Sequence, residues 1–204
     1  MNDKFFALPQ EKQYTIINAG FRIFAQNSYK KSPVREIAEA AGISKSLLFH
    51  YFHNKKDLYL FLWEYAAKMT LEYIEKYECY DQADVFEMMY RGLQAKAALM
   101  RQYPEMAMFV MKAYYEKDLD VTAEIQESIK KHSDYKSQAR LLKLDPKDFV
   151  PGLDLQRMYQ DMYWASEGFM WEKLQKGTLN VDEMEEEFRG MIDFWKSIYL
   201  RKES

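Results

Sequence analysis

Seven glycines and five prolines are spread over 204 residues, about half of the roughly 12% that this pair contributes to an average chain. These residues end or bend regular elements, so their scarcity leaves long stretches best filled by helices. The apolar spacing agrees. Tyr14, Ile17, Phe21 and Phe24 recur at three- and four-residue intervals after Pro9, and Met184, Phe188, Met191, Trp195 and Ile198 follow a 4, 3, 4, 3 pattern, the signature of amphipathic helices. No strand-like alternation, internal repeat or low-complexity tract stands out. An all-α fold is expected, and 48% apolar residues supply its core.

The breakers fall where helix boundaries belong. A first helix is expected from Pro9 to about Asn27. Ser32-Pro33 then reads as an N-cap followed by a first-turn proline, opening a short helix through Val34, Ile37 and Ala38 that Gly42 stops. Ser44 caps a short helix from Lys45 to about Phe52. Asn54 caps a long one that continues to about Glu78, with Asp57 completing a partial capping box. Further helices are expected over 83–102, from Pro104 through Met108, Met111 and Tyr115, and over 123–144. Residues 145–152 hold two prolines and a glycine and read as a loop. Two strong helices over about 155–176 and 181–201 follow, joined near Gly177.

Charge is polarised along the chain. Residues 1–60 carry nine Lys/Arg against five Asp/Glu, whereas residues 61–204 carry 20 against 27. A basic end on an acidic body suits an anionic partner at the N-terminal end only. Methionine and aromatic residues are polarised too: 12 of the 13 methionines and 23 aromatics lie beyond residue 60. The single cysteine, Cys79, excludes an intrachain disulfide framework and fits a reducing compartment. The most apolar run, 58–67, is interrupted by Glu64 and far shorter than the roughly 20 residues of a membrane span. A cytoplasmic protein without a membrane partner is expected.

Three short helices, the second and third separated by a tight turn, are the parts of a helix-turn-helix. Such a unit needs a small residue where the two helices touch, glycine in the turn, and apolar residues that lock the second helix onto the first. Ala38, Gly42 and Leu48, with Ile37 and Ile43 beside them, meet these demands. The helix from Lys45 is then free to enter a major groove, whose width of roughly 12 Å admits one helix.

The stretch FAQNSYKKSPVREIAEAAGISKSLLFHYFHNKKDL, Phe24 to Leu58, resembles the DNA-binding domain of the TetR family of transcriptional regulators over about residues 10–60. The resemblance implies a helix-turn-helix DNA-binding domain over 1–53 and a helical effector-binding and dimerisation domain over 54–204. It implies a homodimer on a double-stranded, palindromic operator, released by a small-molecule effector. It places Ser44, Lys45 and Ser46 at the start of the recognition helix, Leu47, Phe49 and His50 facing DNA, and Tyr51 and Lys55 on the backbone. Ser32 and Arg35 would touch flanking phosphates. A cation at a helix start such as Lys55 is unfavourable unless an anion lies in front of it, and the free amides there would hold a phosphate. Leu47 stands where the family usually has Thr or Ser, Phe49 where it commonly has Tyr, and Ser28 where glycine usually precedes Tyr29. Leu47 and Phe49 have apolar surface suited to thymine methyls; the alternative for Phe49 is to fold back onto the core.

No other chemistry competes. His50 and His53 lack the further ligands a zinc site needs, and 182–187 reads as a solvated acidic face near a helix start. There is no P-loop, dinucleotide turn, HExxH or Glu-x-x-His motif, so neither an enzyme nor a cofactor is expected. The late aromatic and methionine set divides between core with a dimer seam, and a pocket. Pocket candidates are Trp63, Phe86, Met89, Tyr90, Phe109, Tyr114, Tyr163 and Trp164. Methionine suits varied apolar ligands and the aromatics offer a cation-binding face. Seam candidates are Met158, Met162, Phe169, Met184, Phe188, Met191, Trp195 and Ile198, on the last two helices.

Overall fold

A computed structural model describes residues 3–81, 84–133, 144–177 and 180–201. The described residues form ten α-helices: α1 (Asp3–Phe6), α2 (Gln10–Gln26), α3 (Val34–Ala40), α4 (Lys45–Phe52), α5 (Lys55–Lys76), α6 (Val85–Gln102), α7 (Met106–Tyr114), α8 (Thr122–Ser133), α9 (Leu155–Lys176) and α10 (Val181–Tyr199). The expected all-α architecture is therefore present. Of the helix expected over 123–144, α8 covers the first part and residues 134–143 lie outside the described residues. The expected loop at 145–152 contains a single 3-10 turn, Pro146–Asp148. Phe149 beside it makes an isolated antiparallel bridge to Leu200, with Val150 N–H donating to the Tyr199 carbonyl at 3.0 Å and Arg201 N–H to the Asp148 carbonyl at 2.9 Å.

Local chemistry explains most boundaries. Ser44 Oγ accepts the Leu47 N–H at 3.1 Å and starts α4, and Asn54 Oδ1 accepts the Asp57 N–H at 2.8 Å and starts α5. Gly42 has φ +67°. In that left-handed conformation the Gly42 N–H reaches the Glu39 carbonyl at 3.1 Å and the Ile43 N–H reaches the Ala38 carbonyl at 3.0 Å, the Schellman arrangement that satisfies the orphan carbonyls of α3. Ser32, expected to cap α3, does not. Its hydroxyl is buried and donates to the Ser28 carbonyl at 2.9 Å, so Pro33 occupies the cap position without a side-chain hydrogen bond. Pro104 lies in the turn before α7, whose cap position is Glu105.

Contacts divide the chain into two compact units, Met1–Met69 with Gln102–His132, and Thr70–Arg101 with Ser133–Ser204. Compactness thus groups the helices differently from the division by role at residue 53, with α7 and α8 joining the N-terminal helices. In the first unit α2 packs on α3 and α7, and α3 on α4. Its centre is aromatic. The Phe109 ring lies 5.2 Å from Phe21 and 5.2 Å from Tyr59, and Phe24 lies 4.8 Å from Tyr59. α1, not anticipated from sequence, wedges Phe5 into this unit, 4.9 Å from Phe52 at the end of α4 and 5.2 Å from Phe61 on α5. In the second unit Lys96 on α6 pairs with Glu167 on α9 at 2.8 Å, and Arg101 pairs with Asp182 and Glu185 on α10 at 2.6 and 2.8 Å. Phe188 lies 6.0 Å from Phe169 and 5.9 Å from Trp195.

Candidate nucleic-acid interface

The α3-turn-α4 unit is fixed from below and open on top. Ile37, Ala38, Leu48 and Phe52 are buried, which locks α4 against α3 and the start of α5. Ser44, Lys45, Ser46, Leu47 and His50 are exposed. Ser44 Oγ and Ser46 Oγ lie 3.0 Å apart. Lys45 Nζ sits 5.5 Å above the Phe49 ring, a cation–π geometry. Phe49 is half-buried, between the two alternatives its sequence left open. Arg35 is exposed at the start of α3, with its guanidinium 2.7 Å from Glu39 one turn on. Lys30 and Lys31, which do not stand out in the sequence, add exposed positive charge just before α3.

Three residues expected to touch the DNA backbone are engaged within the chain. Ser32 is buried. Tyr51 is buried with its ring 6.1 Å from Phe5. The Lys55 ammonium donates to the carbonyls of Lys30 at 3.0 Å and Ser32 at 3.3 Å, and lies 4.8 Å over the Tyr29 ring. Carbonyl dipoles and a π-face thus offset the unfavourable position of a cation at the start of α5. Burial lowers the pKa of Lys55, opposed by Asp118 and Asp120.

The same turn is held from the far side by Glu116. Its Oε2 accepts the Tyr29 N–H at 2.9 Å, while Oε1 accepts the N–H groups of Lys117 at 2.9 Å and Asp118 at 3.1 Å. One carboxylate thereby joins the α7–α8 connection to the segment that leads into α3. No sequence signal marks this residue, because its partner is 87 positions away.

Two phenols in this region carry a pH dependence. Burial, then the neighbouring Glu116 and Tyr29, pushes the Tyr59 phenol far above its ordinary value of 10.0. Burial followed by Asp120, Asp118 and Asp57 raises Tyr29 from the same value. Above pH 10 the unfolded chain ionises these phenols while the fold keeps them protonated. The stability they contribute is complete below about pH 10 and is lost as pH rises through their folded values. Lys55 acts in the opposite direction, adding stability between its lowered folded pKa and its unfolded value near 10.5. Urea titrations at fixed ionic strength are expected to show stability declining beyond pH 10. Tyr59→Phe should flatten that decline, and an unchanged slope in this variant would show that Tyr59 is not its source.

The pocket candidates divide between the two units. Trp63, Phe109 and Tyr114 belong to the first; Phe86, Met89, Tyr90, Tyr163 and Trp164 belong to the second. Trp63 is buried and donates its indole N–H to Ser128 Oγ at 2.9 Å. Phe109 and Phe86 are fully buried, whereas Tyr114, Tyr163 and Trp164 are exposed. Met89 and Tyr90 are half-buried, and the Tyr90 hydroxyl accepts from Arg189. Of the seam candidates, Met158, Met162, Met184, Phe188 and Trp195 are already buried within one copy of the chain. Phe169 and Met191 are half-buried and Ile198 is exposed. The apolar side chains that α9 and α10 leave outside are Tyr163, Trp164, Trp171, Phe194 and Ile198. Among the described residues no group of three or more His, Cys, Asp or Glu could hold a metal, and no helix is long and apolar enough to cross a membrane.

Known proteins share both the motif and the fold. Residues 16–61 match the family model for bacterial regulatory proteins of the tetR family. The HTH-type transcriptional regulator AcrR of Shigella flexneri is 31% identical over 72 residues, 33% of this chain and 34% of that protein. The chain thus aligns with about a third of the length of the curated relatives it matches. A TetR family transcriptional regulator from Chloroflexus aurantiacus J-10-FL superposes with a TM-score of 0.69 at 24% identity, over 98% of this chain and 99% of that one. The transcriptional regulator FadR from Bacillus subtilis, solved in complex with stearoyl-CoA, gives 0.63 at 19% identity over 89% and 96%. These likenesses extend the common fold over nearly the whole length.

Proposed function

We propose that this chain, whose N-terminal domain matches the tetR family of bacterial regulatory proteins, is a ligand-responsive transcriptional repressor of that family that binds a palindromic operator as a homodimer. The observation that carries this reading is α4: a capped helix with a buried underside and an exposed face of Lys45, Ser46, Leu47 and His50, flanked by exposed Lys30, Lys31 and Arg35. Lys45, Lys30, Lys31 and Arg35 supply phosphate contacts, with the Ser44 hydroxyl beside them. Ser32, Tyr51 and Lys55 act from beneath, holding the turn and the end of α4 in place. Repression needs no further contact, because occlusion of a promoter requires occupancy alone.

The second copy docks on α9 and α10. Trp164, Gly168 and Trp171 recur at i, i+4 and i+7, and Gly190, Phe194 and Ile198 at i, i+4 and i+8, so each set shares one helix face. Apart from their chain neighbours and the backbone of their own helix, nothing lies within 4 Å of where a Cβ would sit on Gly168 or Gly190. A mid-helix glycine costs roughly 0.5–1 kcal/mol relative to alanine, a cost that close approach of a partner helix would offset. The effector is small and largely apolar or aromatic. The second unit, rich in methionine and aromatic side chains, favours this, and the stearoyl-CoA bound by the FadR relative carries a long apolar acyl chain. Its release of DNA is a population shift, requiring different effector affinities for the two conformations.

Selection from a random DNA library tests the reading. The expected product is an inverted repeat with half-site centres one helical turn, about 34–36 Å, or a multiple apart. Lys45→Ala is expected to weaken binding to all sequences and to lower the log–log salt slope by about 1 for each phosphate no longer neutralised. Failure to enrich any repeat would overturn the DNA-binding reading and leave a helical small-molecule binder.

A further inference from the structure

We infer that Leu47 reads the 5-methyl group of a thymine in each operator half-site; this rests on the DNA-binding reading above and names what its recognition helix selects. Leu47 is the third residue of α4, where its N–H is taken by the Ser44 cap. In a helix-turn-helix the first residues of the second helix meet the base edges. Leu47 is 37% exposed, and it is the single large apolar residue of α4 that stands out from the surface. Leu48, next to it, is fully buried in the core. Phe49 is half-buried beneath the Lys45 ammonium, so its ring is shared with a cation. Ser44, Ser46 and His50, the neighbours of Leu47 on the exposed face, are polar.

A leucine side chain neither donates nor accepts a hydrogen bond. On the floor of the major groove the donors and acceptors of guanine, cytosine and adenine would lose water to it without compensation. The apolar feature that B-DNA presents there is the thymine methyl. Contact with that methyl removes apolar surface from both partners, whereas any other base opposite Leu47 offers no such gain to offset the polar edge it dehydrates. The preference therefore has an attractive and a repulsive part, and both point to the same base.

The experiment starts from the operator enriched by selection. Each thymine is replaced in turn by deoxyuridine, which deletes the methyl and leaves base pairing intact, and affinity is measured for the full-length protein and for Leu47→Ala and Phe49→Ala. The wild type is expected to show one symmetry-related thymine at which the substitution weakens binding about fourfold per half-site, the value of one buried carbon. Leu47→Ala should bind the thymine and uracil forms of that position equally while keeping its sensitivity elsewhere. Because Leu47 is exposed, equal binding of the two forms by a variant that still binds the operator also reports that it has folded. Absence of any methyl-sensitive thymine overturns the inference while leaving the enriched operator, and the DNA-binding reading, intact. Sensitivity that survives Leu47→Ala, or is lost in Phe49→Ala instead, overturns it as well. Failure to enrich an operator overturns both.

Discussion

Phe109→Ala is expected to destabilise the first compact unit by about 3–5 kcal/mol, the usual cost of deleting a buried phenyl group. The ring is fully buried, with Phe21 at 5.2 Å, Phe24 at 6.2 Å and Tyr59 at 5.2 Å. It therefore joins α7 to both α2 and α5. Truncation would leave a void walled by three other rings, none of which can fill it without leaving its own neighbours. For a chain of this length each kcal/mol moves the midpoint by about 2–4 °C, so a drop of roughly 6–20 °C is expected in the thermal transition that reports this unit. The measurement also separates the two roles open to this residue from sequence. A pocket wall would cost little stability when trimmed and would change the response to effector. A loss below about 1 kcal/mol would show that the ring is not part of the core.

Trp164→Glu combined with Phe194→Glu is expected to turn the proposed dimer into a monomer in sedimentation. The two residues are 55% and 61% exposed, so the single chain loses little by the exchange. Four buried carboxylates across a two-fold seam could not be tolerated without partners. Operator affinity should fall by about 100-fold or more, since one half-site would lose the effective concentration that the linked second site provides. The choice of residues matters. Phe188→Glu and Trp195→Glu would place charge among side chains already buried within one copy and would report on folding. Dimeric sedimentation by the Trp164/Phe194 double variant would place the seam elsewhere.

Legibility follows the range of the interaction. The Ser44 and Asn54 caps and the Gly42 turn are readable because each depends on groups within five residues. Ser32 shows the limit of that reasoning. Ser-Pro fits a helix start, yet its hydroxyl finds a nearer carbonyl at Ser28. α1 leaves no mark in the sequence because four residues hold no periodicity. On the last two helices, periodicity locates the apolar stripes of α9 and α10 but does not say which stripe the chain covers by itself. Met184, Phe188 and Trp195 go to its own interior, and Ile198 remains outside. The sequence marks Lys55 as a cation in need of partners. Those partners are the carbonyls of Lys30 and Ser32, set by a turn whose shape only the fold determines.

Surface connections usually drift in length among related proteins, because little depends on their path. The link from α7 to α8 lacks that freedom. A residue inserted between the end of α7 and Glu116 would carry the Glu116 carboxylate roughly 3.3–3.8 Å along the chain, beyond reach of the Tyr29 N–H now 2.9 Å away. Change at this link is therefore expected to proceed by substitution rather than by insertion. A reporter peptide spliced into it would interfere with the footing of α3, even though the splice site is far from that helix in sequence.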